Sequence, residues 1–159
     1  LPVDPQRFSA LPLLTERLLL IMAKQHASAE AAAGRRSLRE FADHPFIQYE
    51  EGYGLRQLVA DTCRRAGFEP RIACESGSTE TIKRFVAAGL GVGLVPESVL
   101  EAHDLNRLVA LVPAEEPTRT LALVSRRGRH LSAAARATAA LIREGFARWA
   151  GLSTMQEGS

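Results

Sequence analysis

Residues 75–98 read ESGSTETIKRFVAAGLGVGLVPES. A polar, turn-like start at Ser76, Gly77 and Ser78 opens a helix. Its apolar residues Ile82, Phe85 and Val86, with the stop at Gly89, fall at i, i+3, i+4 and i+7, one helical face. Gly89 suits the left-handed residue that follows a helix C-terminus. Val92, Leu94 and Val95 then form a short apolar run closed by Pro96. Such a run reads as a strand buried on both faces, as a parallel sheet requires. The segment is therefore a helix feeding a parallel strand. Open α/β sheets bind ligands at helix N-termini and beyond strand C-termini.

The flanks alternate in the same way. RLLLIMA (residues 17–23) lacks helix caps and reads as a central strand. Ser37 and Glu40 fit a capping box ahead of a short helix. Phe46–Tyr49 reads as a strand and EEGYG (50–54) as a turn. Leu55, Leu58, Val59, Thr62, Cys63 and Ala66 then share a helix face that ends at Gly67. Strands follow over 71–74, 105–112 and 120–125. Ser132 caps a last helix with Ala135, Ala139, Ile142, Phe146 and Trp149 on one side, and Gly151 is expected to end it. Residues 1–13, with prolines at 2, 5 and 12, read as loop. The alternation argues for an α/β fold with a mainly parallel sheet.

The 159 residues make one domain or two small lobes, with 46% hydrophobic and 24% charged residues. No apolar run approaches the about 20 residues of a membrane span. Nothing at the start has a signal-peptide layout, so the expected location is cytoplasmic. The net charge is +2, and the Arg pairs at 35–36, 64–65 and 126–127 are scattered. No basic stripe or recognition helix of a duplex-binding domain is present in the sequence.

ESGSTETIKRFVAAGLGVGLVPES resembles the effector-binding domain of LysR-type transcriptional regulators. LREFADHPFIQYEEGYGLRQLVADTCRRAGFEPRI before it and RTLALVSRRGRHLSAAARATAALI after it agree in order. The resemblance runs from about residue 1 to about residue 150. It implies a periplasmic-binding-protein-like (type II) fold of two α/β lobes joined by crossing strands at 17–24 and 119–126. Residues 25–117 would be the second lobe. Residues 1–24 and 118–152 would be part of a first lobe whose opening elements are absent, and 153–159 a disordered tail. The implied role is ligand sensing: a small-molecule effector controls DNA binding by a winged helix-turn-helix that this sequence lacks. Homodimer or tetramer assembly is implied, with no membrane contact. The alternative is a periplasmic solute-binding protein of the same fold.

The candidate ligand-binding residues are Ser76, Gly77, Ser78, Thr79, Glu50, Tyr53, Val95 and Pro96. Hydroxyls and free N–H groups at a helix start suit an anion; Ser78 reads equally as a plain N-cap. Val95 and Pro96 offer apolar contact or simply terminate a strand. Glu50 and Glu51 would repel an anion unless they point to solvent or pair with Arg. GLGVG (89–93) follows a helix and opens a strand, the reverse of a dinucleotide fingerprint. Peroxide-responsive members of the family place a reactive cysteine where Gly54 stands, and Cys63 falls on an apolar helix face, so a buried, inert thiol is expected. No zinc spacing and no GxSxG elbow occur. The sequence therefore predicts no catalytic residue, no metal and no cofactor, and the protein reads as a sensor, not an enzyme.

Overall fold

The computed structural model describes residues 4–27 and 35–156, with side chains as far as 148. Among the described residues, six strands and three α-helices follow one another as β1 (Phe8–Ala23), β2 (Pro45–Tyr49), α1 (Gly54–Arg65), β3 (Arg71–Ser76), α2 (Thr79–Ala87), β4 (Gly93–Pro96), β5 (Leu108–Leu111), β6 (Thr118–Arg126) and α3 (Ala133–Gln156). They fall into two compact units, Glu16–Arg119 and Leu1–Thr15 with Thr120–Ser159.

The larger unit holds the main core. Leu18–Ala23 of β1 are buried because β1 is flanked on both sides. Leu20 pairs antiparallel with Leu94 of β4 and with Leu111 of β5. β2 and β3 pair in parallel, Tyr49 opposite Ser76, and an isolated parallel bridge joins Phe46 to Val92. The parallel character expected from helix–strand alternation is carried by these last contacts. The long first strand adds antiparallel pairing, so the sheets are mixed.

Helix α1 buries Leu55, Val59, Thr62 and Cys63, and α2 buries Ile82, Lys83 and Val86, the spacings expected of amphipathic helices. Gly89 has φ +82°, the conformation that ends α2. A Cβ at Gly91 would collide with the Pro45 carbonyl, so this glycine permits close approach to β2. The GLGVG run is thus a helix stop followed by tight packing. Ser37 forms the expected capping box with Glu40, although the helix it opens is a single 3-10 turn, Leu38–Phe41.

Four boundaries differ from the sequence reading. β1 starts at Phe8, not Arg17, because 7–15 gains a partner in β6: the Arg127 N–H donates to the Arg7 carbonyl (2.9 Å), and the Thr15 and Thr120 hydroxyls meet at 2.9 Å. Pro12 is tolerated there, since an edge position need not donate an N–H. β3 runs on to Ser76, held by its parallel register with β2. β5 is shortened to Leu108–Leu111 by a 3-10 turn over Asp104–Asn106. α3 passes through Gly151 and reaches Gln156. A mid-helix glycine costs about 1 kcal/mol, too little to stop a helix by itself. Residues 157–159 of the expected tail, and the side chain of Trp149, lie outside the described residues.

The division between these compact units falls within β1 and β6, between Thr15 and Glu16 and between Arg119 and Thr120. Leu18–Ala23 are part of the core of the larger unit. In the smaller unit, Ser132 Oγ accepts the Ala135 N–H (3.1 Å) at the head of α3. Ala135, Ala139, Ile142 and Phe146 are half-buried along the expected face. A groove of about 400 Å³ runs between α3 and the strands, past Leu11, Leu123, Leu131 and Ile142.

Candidate functional site

In the larger unit β2 and β3 end side by side, Tyr49 opposite Ser76, while β4 ends at Pro96. Helix α2 starts at Thr79, immediately after β3. Ser76 Oγ accepts the Ser78 N–H (3.1 Å) and donates to the Ser78 carbonyl (3.4 Å), which fixes the bend at Gly77. Ser78 is the N-cap, its Oγ accepting the Thr81 N–H at 3.4 Å. Thr79 Oγ1 stands 3.5 Å from the Tyr49 hydroxyl. The buried Tyr49 ring stacks on Tyr53, centroids 5.2 Å apart and planes within 11°. Tyr53 is 42% exposed, so one aromatic face reaches solvent.

The acids around this rim differ in their partners. Glu75 pairs with Arg56 at 2.7 Å, and Arg56 also donates to the Tyr49 carbonyl at 2.8 Å. Glu50 is exposed, and no cation among the described residues pairs with it. Its carboxylate lies over Gly77, where a Cβ would collide with it. Glu50 therefore joins the Ser76–Thr79 bend, as Tyr53 does through Tyr49. Val95 does not: it is fully buried and contributes packing, and Pro96 is buried beside it.

The sequence reading passed over a charged pair nearby. Glu16 is buried, and its carboxylate accepts Arg119 Nε (2.7 Å) and the Ser98 N–H (2.9 Å). Burial alone would raise the Glu16 pKa, but the Ser98 and Arg119 contacts outweigh it and hold the carboxyl below its ordinary value. Burial pushes the Tyr49 phenol up, against the Thr79 hydroxyl and the Arg119 charge, so it stays a neutral hydroxyl at physiological pH. The two charges stand 103 residues apart in sequence, which no local pattern reveals.

Both cysteines are free thiols. Burial, reinforced by Glu69 and Glu115, pushes Cys63 up to about 12. Burial also raises the half-buried Cys74. Neither thiol has the lowered pKa of a reactive cysteine. Among the described residues no three ligating side chains gather as a metal site, and no helix is long and apolar enough to cross a membrane.

Comparison with known proteins agrees with this architecture. The family model for the LysR substrate binding domain matches residues 1–147. The uncharacterized HTH-type transcriptional regulator YwbI of Bacillus subtilis (strain 168) is 34% identical, over 86% of this chain and 45% of that protein. The transcriptional dual regulator GltC of the same organism is 32% identical, over 77% of the chain and 41% of that protein. The chain thus spans less than half the length of these relatives. Among solved structures, the effector-binding domain of QuiR in complex with shikimate superposes with a TM-score of 0.76 at 20% identity, covering 93% of this chain and 69% of that one. The regulatory domain of Synechocystis PCC6803 CcmR in complex with 2-PG superposes with a TM-score of 0.79 at 23% identity, covering 92% and 70%. These structural likenesses concern the fold, which is the periplasmic-binding-protein-like type II arrangement.

Proposed function

Because this chain belongs to the LysR substrate binding domain family, we propose that it is the ligand-sensing part of a transcriptional regulator. A small-molecule effector binds at the Ser76–Thr79 bend, with Glu50, Tyr53 and Pro96 around it. The observation that carries this reading is the paired end of β2 and β3 at the N-terminus of α2, where the Thr79 and Tyr49 hydroxyls meet. Free N–H groups at a helix start, together with neutral hydroxyls, suit an acceptor oxygen. The unpaired Glu50 disfavours a highly charged anion and favours a ligand that also carries an amino or hydroxyl donor.

In the longer protein, residues 25–117 act as the second lobe and residues 1–24 with 118–152 as part of the first. Effector binding shifts a pre-existing equilibrium between arrangements of a dimer or tetramer. DNA is reached through a winged helix-turn-helix elsewhere in that protein, in the cytoplasm. The regulators among the curated relatives support this role over an enzyme or the periplasmic solute-binding alternative.

The test is calorimetry of the full-length regulator against a panel of small hydroxy acids, amino acids and aromatic acids. The compound that binds is then titrated into the Ser78→Ala/Thr79→Ala variant. Affinity should fall about tenfold or more, with the fold retained, since loss of an N-cap costs only about 1 kcal/mol. Unchanged affinity in the variant would place the effector elsewhere.

A further inference from the structure

The parallel ladder around β2 stops in an unusual way. The Glu50 N–H donates to Ser76 of β3, so even-numbered N–H groups of β2 face β3 and odd-numbered ones face β4. Ile47 follows this rule: its N–H donates to the Val92 carbonyl at 2.8 Å. Tyr49, two residues on, would reach β4 next. It does not, because β4 turns away to pair with β1, from Leu18↔Pro96 to Ile21↔Gly93. The Gln48 side chain fills the break, its Oε1 accepting the Tyr49 N–H at 2.8 Å.

That bond fixes the amide. A backbone N–H can donate only to the oxygen, so the orientation of the Gln48 amide is not open to a flip. The NH₂ group therefore lies in the gap where β2 and β4 part. Gln48 is 3% exposed, yet Nε2 has no hydrogen-bond partner among the described residues and is not one of the fully sealed side-chain atoms. What solvent reaches of this residue includes its donor. Divergence of neighbouring strands at their C-terminal ends is where α/β sheets make ligand crevices. A donor held ready there without a protein partner suits an acceptor brought by a ligand.

We propose that Gln48 is a specificity-determining residue of the effector site, donating from Nε2 to an acceptor oxygen of the ligand while its Oε1 caps β2. This inference rests on the rim reading above. It adds a neutral donor beside the Tyr49 N–H, on the edge of β2 that faces β4. A ligand whose acceptor is replaced by a methyl or an amine would leave Nε2 unsatisfied and would be rejected.

Acetate, a small ligand with two acceptor oxygens, serves as the probe. In ¹⁵N–¹H spectra of this chain, the Gln48 side-chain NH₂ pair is assigned by its loss in Gln48→Met. On titration with acetate, one proton of that pair should move downfield and saturate together with the Ser78 and Thr79 amides. The side-chain pairs of Gln25 and Gln57 are the internal reference. In Gln48→Met the Kd from the Ser78 and Thr79 shifts should rise about tenfold. If the Ser78 and Thr79 amides respond while the Gln48 pair moves no more than Gln25 and Gln57, Gln48 is only a strand cap and the inference fails alone. If no rim amide responds, the rim reading fails and takes this one with it. Should Gln48→Met not fold, the NH₂ pair is assigned instead through its bonds to the Gln48 side-chain carbons in ¹³C,¹⁵N-labelled protein, and its shift in the unaltered chain decides.

Discussion

Removing Lys83 should destabilise the protein more than neutralising its partner Asp104. The Lys83 side chain is 5% exposed and that of Asp104 9%, with Nζ 2.7 Å from Oδ2. Lys83 fills its three protons with Asp104, the Val99 carbonyl (3.0 Å) and Glu80 (2.9 Å). Asp104 has fewer alternatives: apart from Lys83 it accepts the Glu101 N–H at 2.9 Å and lies 3.7 Å from His103. Lys83→Met therefore strands a buried carboxylate, at a cost of about 3–5 kcal/mol. Asp104→Asn leaves Lys83 with Glu80 and Val99 and should cost about 1–3 kcal/mol. Urea unfolding followed by circular dichroism measures both. The double variant Lys83→Met/Asp104→Leu should lose less than the sum of the single changes, because no charge is left buried. Costs that simply add would refute the coupling.

The same pair sets a pH window. Burial alone would raise Asp104, but the Glu101 N–H and Lys83 outweigh it and hold its carboxyl below the ordinary value. Its contribution is present above about pH 4 and is lost as pH falls through the folded value. Burial alone would lower Lys83, but Asp104 and Glu80 outweigh it and raise the ammonium above its ordinary value. Its contribution is present below about pH 10 and disappears as pH rises through the folded value. The stability gap between the unaltered chain and Asp104→Asn should thus be flat from about pH 5 to about pH 10 and shrink outside that range.

Two further outcomes are expected. Peroxide treatment at neutral pH should leave Cys63 reduced, since a thiol pushed up to about 12 is almost entirely protonated; mass spectrometry of alkylated protein showing a rapid Cys63–Cys74 disulfide would overturn this. Gly91→Ala should lower the urea midpoint sharply, because its Cβ meets the Pro45 backbone carbonyl, while Gly77→Ala should cost about 1 kcal/mol or less, because the Glu50 side chain it meets is exposed and free to swing away. Similar midpoints for the two variants would show that β2 shifts easily past residue 91.

What the sequence revealed was local chemistry. Ser37 with Glu40, Ser78 ahead of α2, and Gly89 at its end each act through neighbours within a few residues, and each is where the pattern puts it. The first half of β1 was hidden, because 8–15 is strand through pairing with β6 more than a hundred residues on. Gln48 and Glu16 were hidden for a related reason. Gln48 reads as one polar residue in a buried strand until β4 is seen leaving β2, and Glu16 as an interruption in an apolar run until Arg119 is found against it. Glu50 and Tyr53 were legible as turn residues, but their association with Gly77 and Tyr49 depends on the β2–β3 register.

The Glu16–Arg119 contact has a consequence for how the larger unit is carried in the chain. Its first and last residues are clasped to each other, so the two ends of this segment of about a hundred residues lie side by side. A segment whose ends already meet has the form of a cassette, the geometry in which insertion and circular permutation succeed. Residues 16–119 could be excised, rejoined by a short linker across Glu16 and Arg119, and reopened at an exposed turn such as Glu51–Gly52 with the core of β1, β4 and β5 undisturbed. Joining such ends costs little chain entropy, because the fold already holds them together.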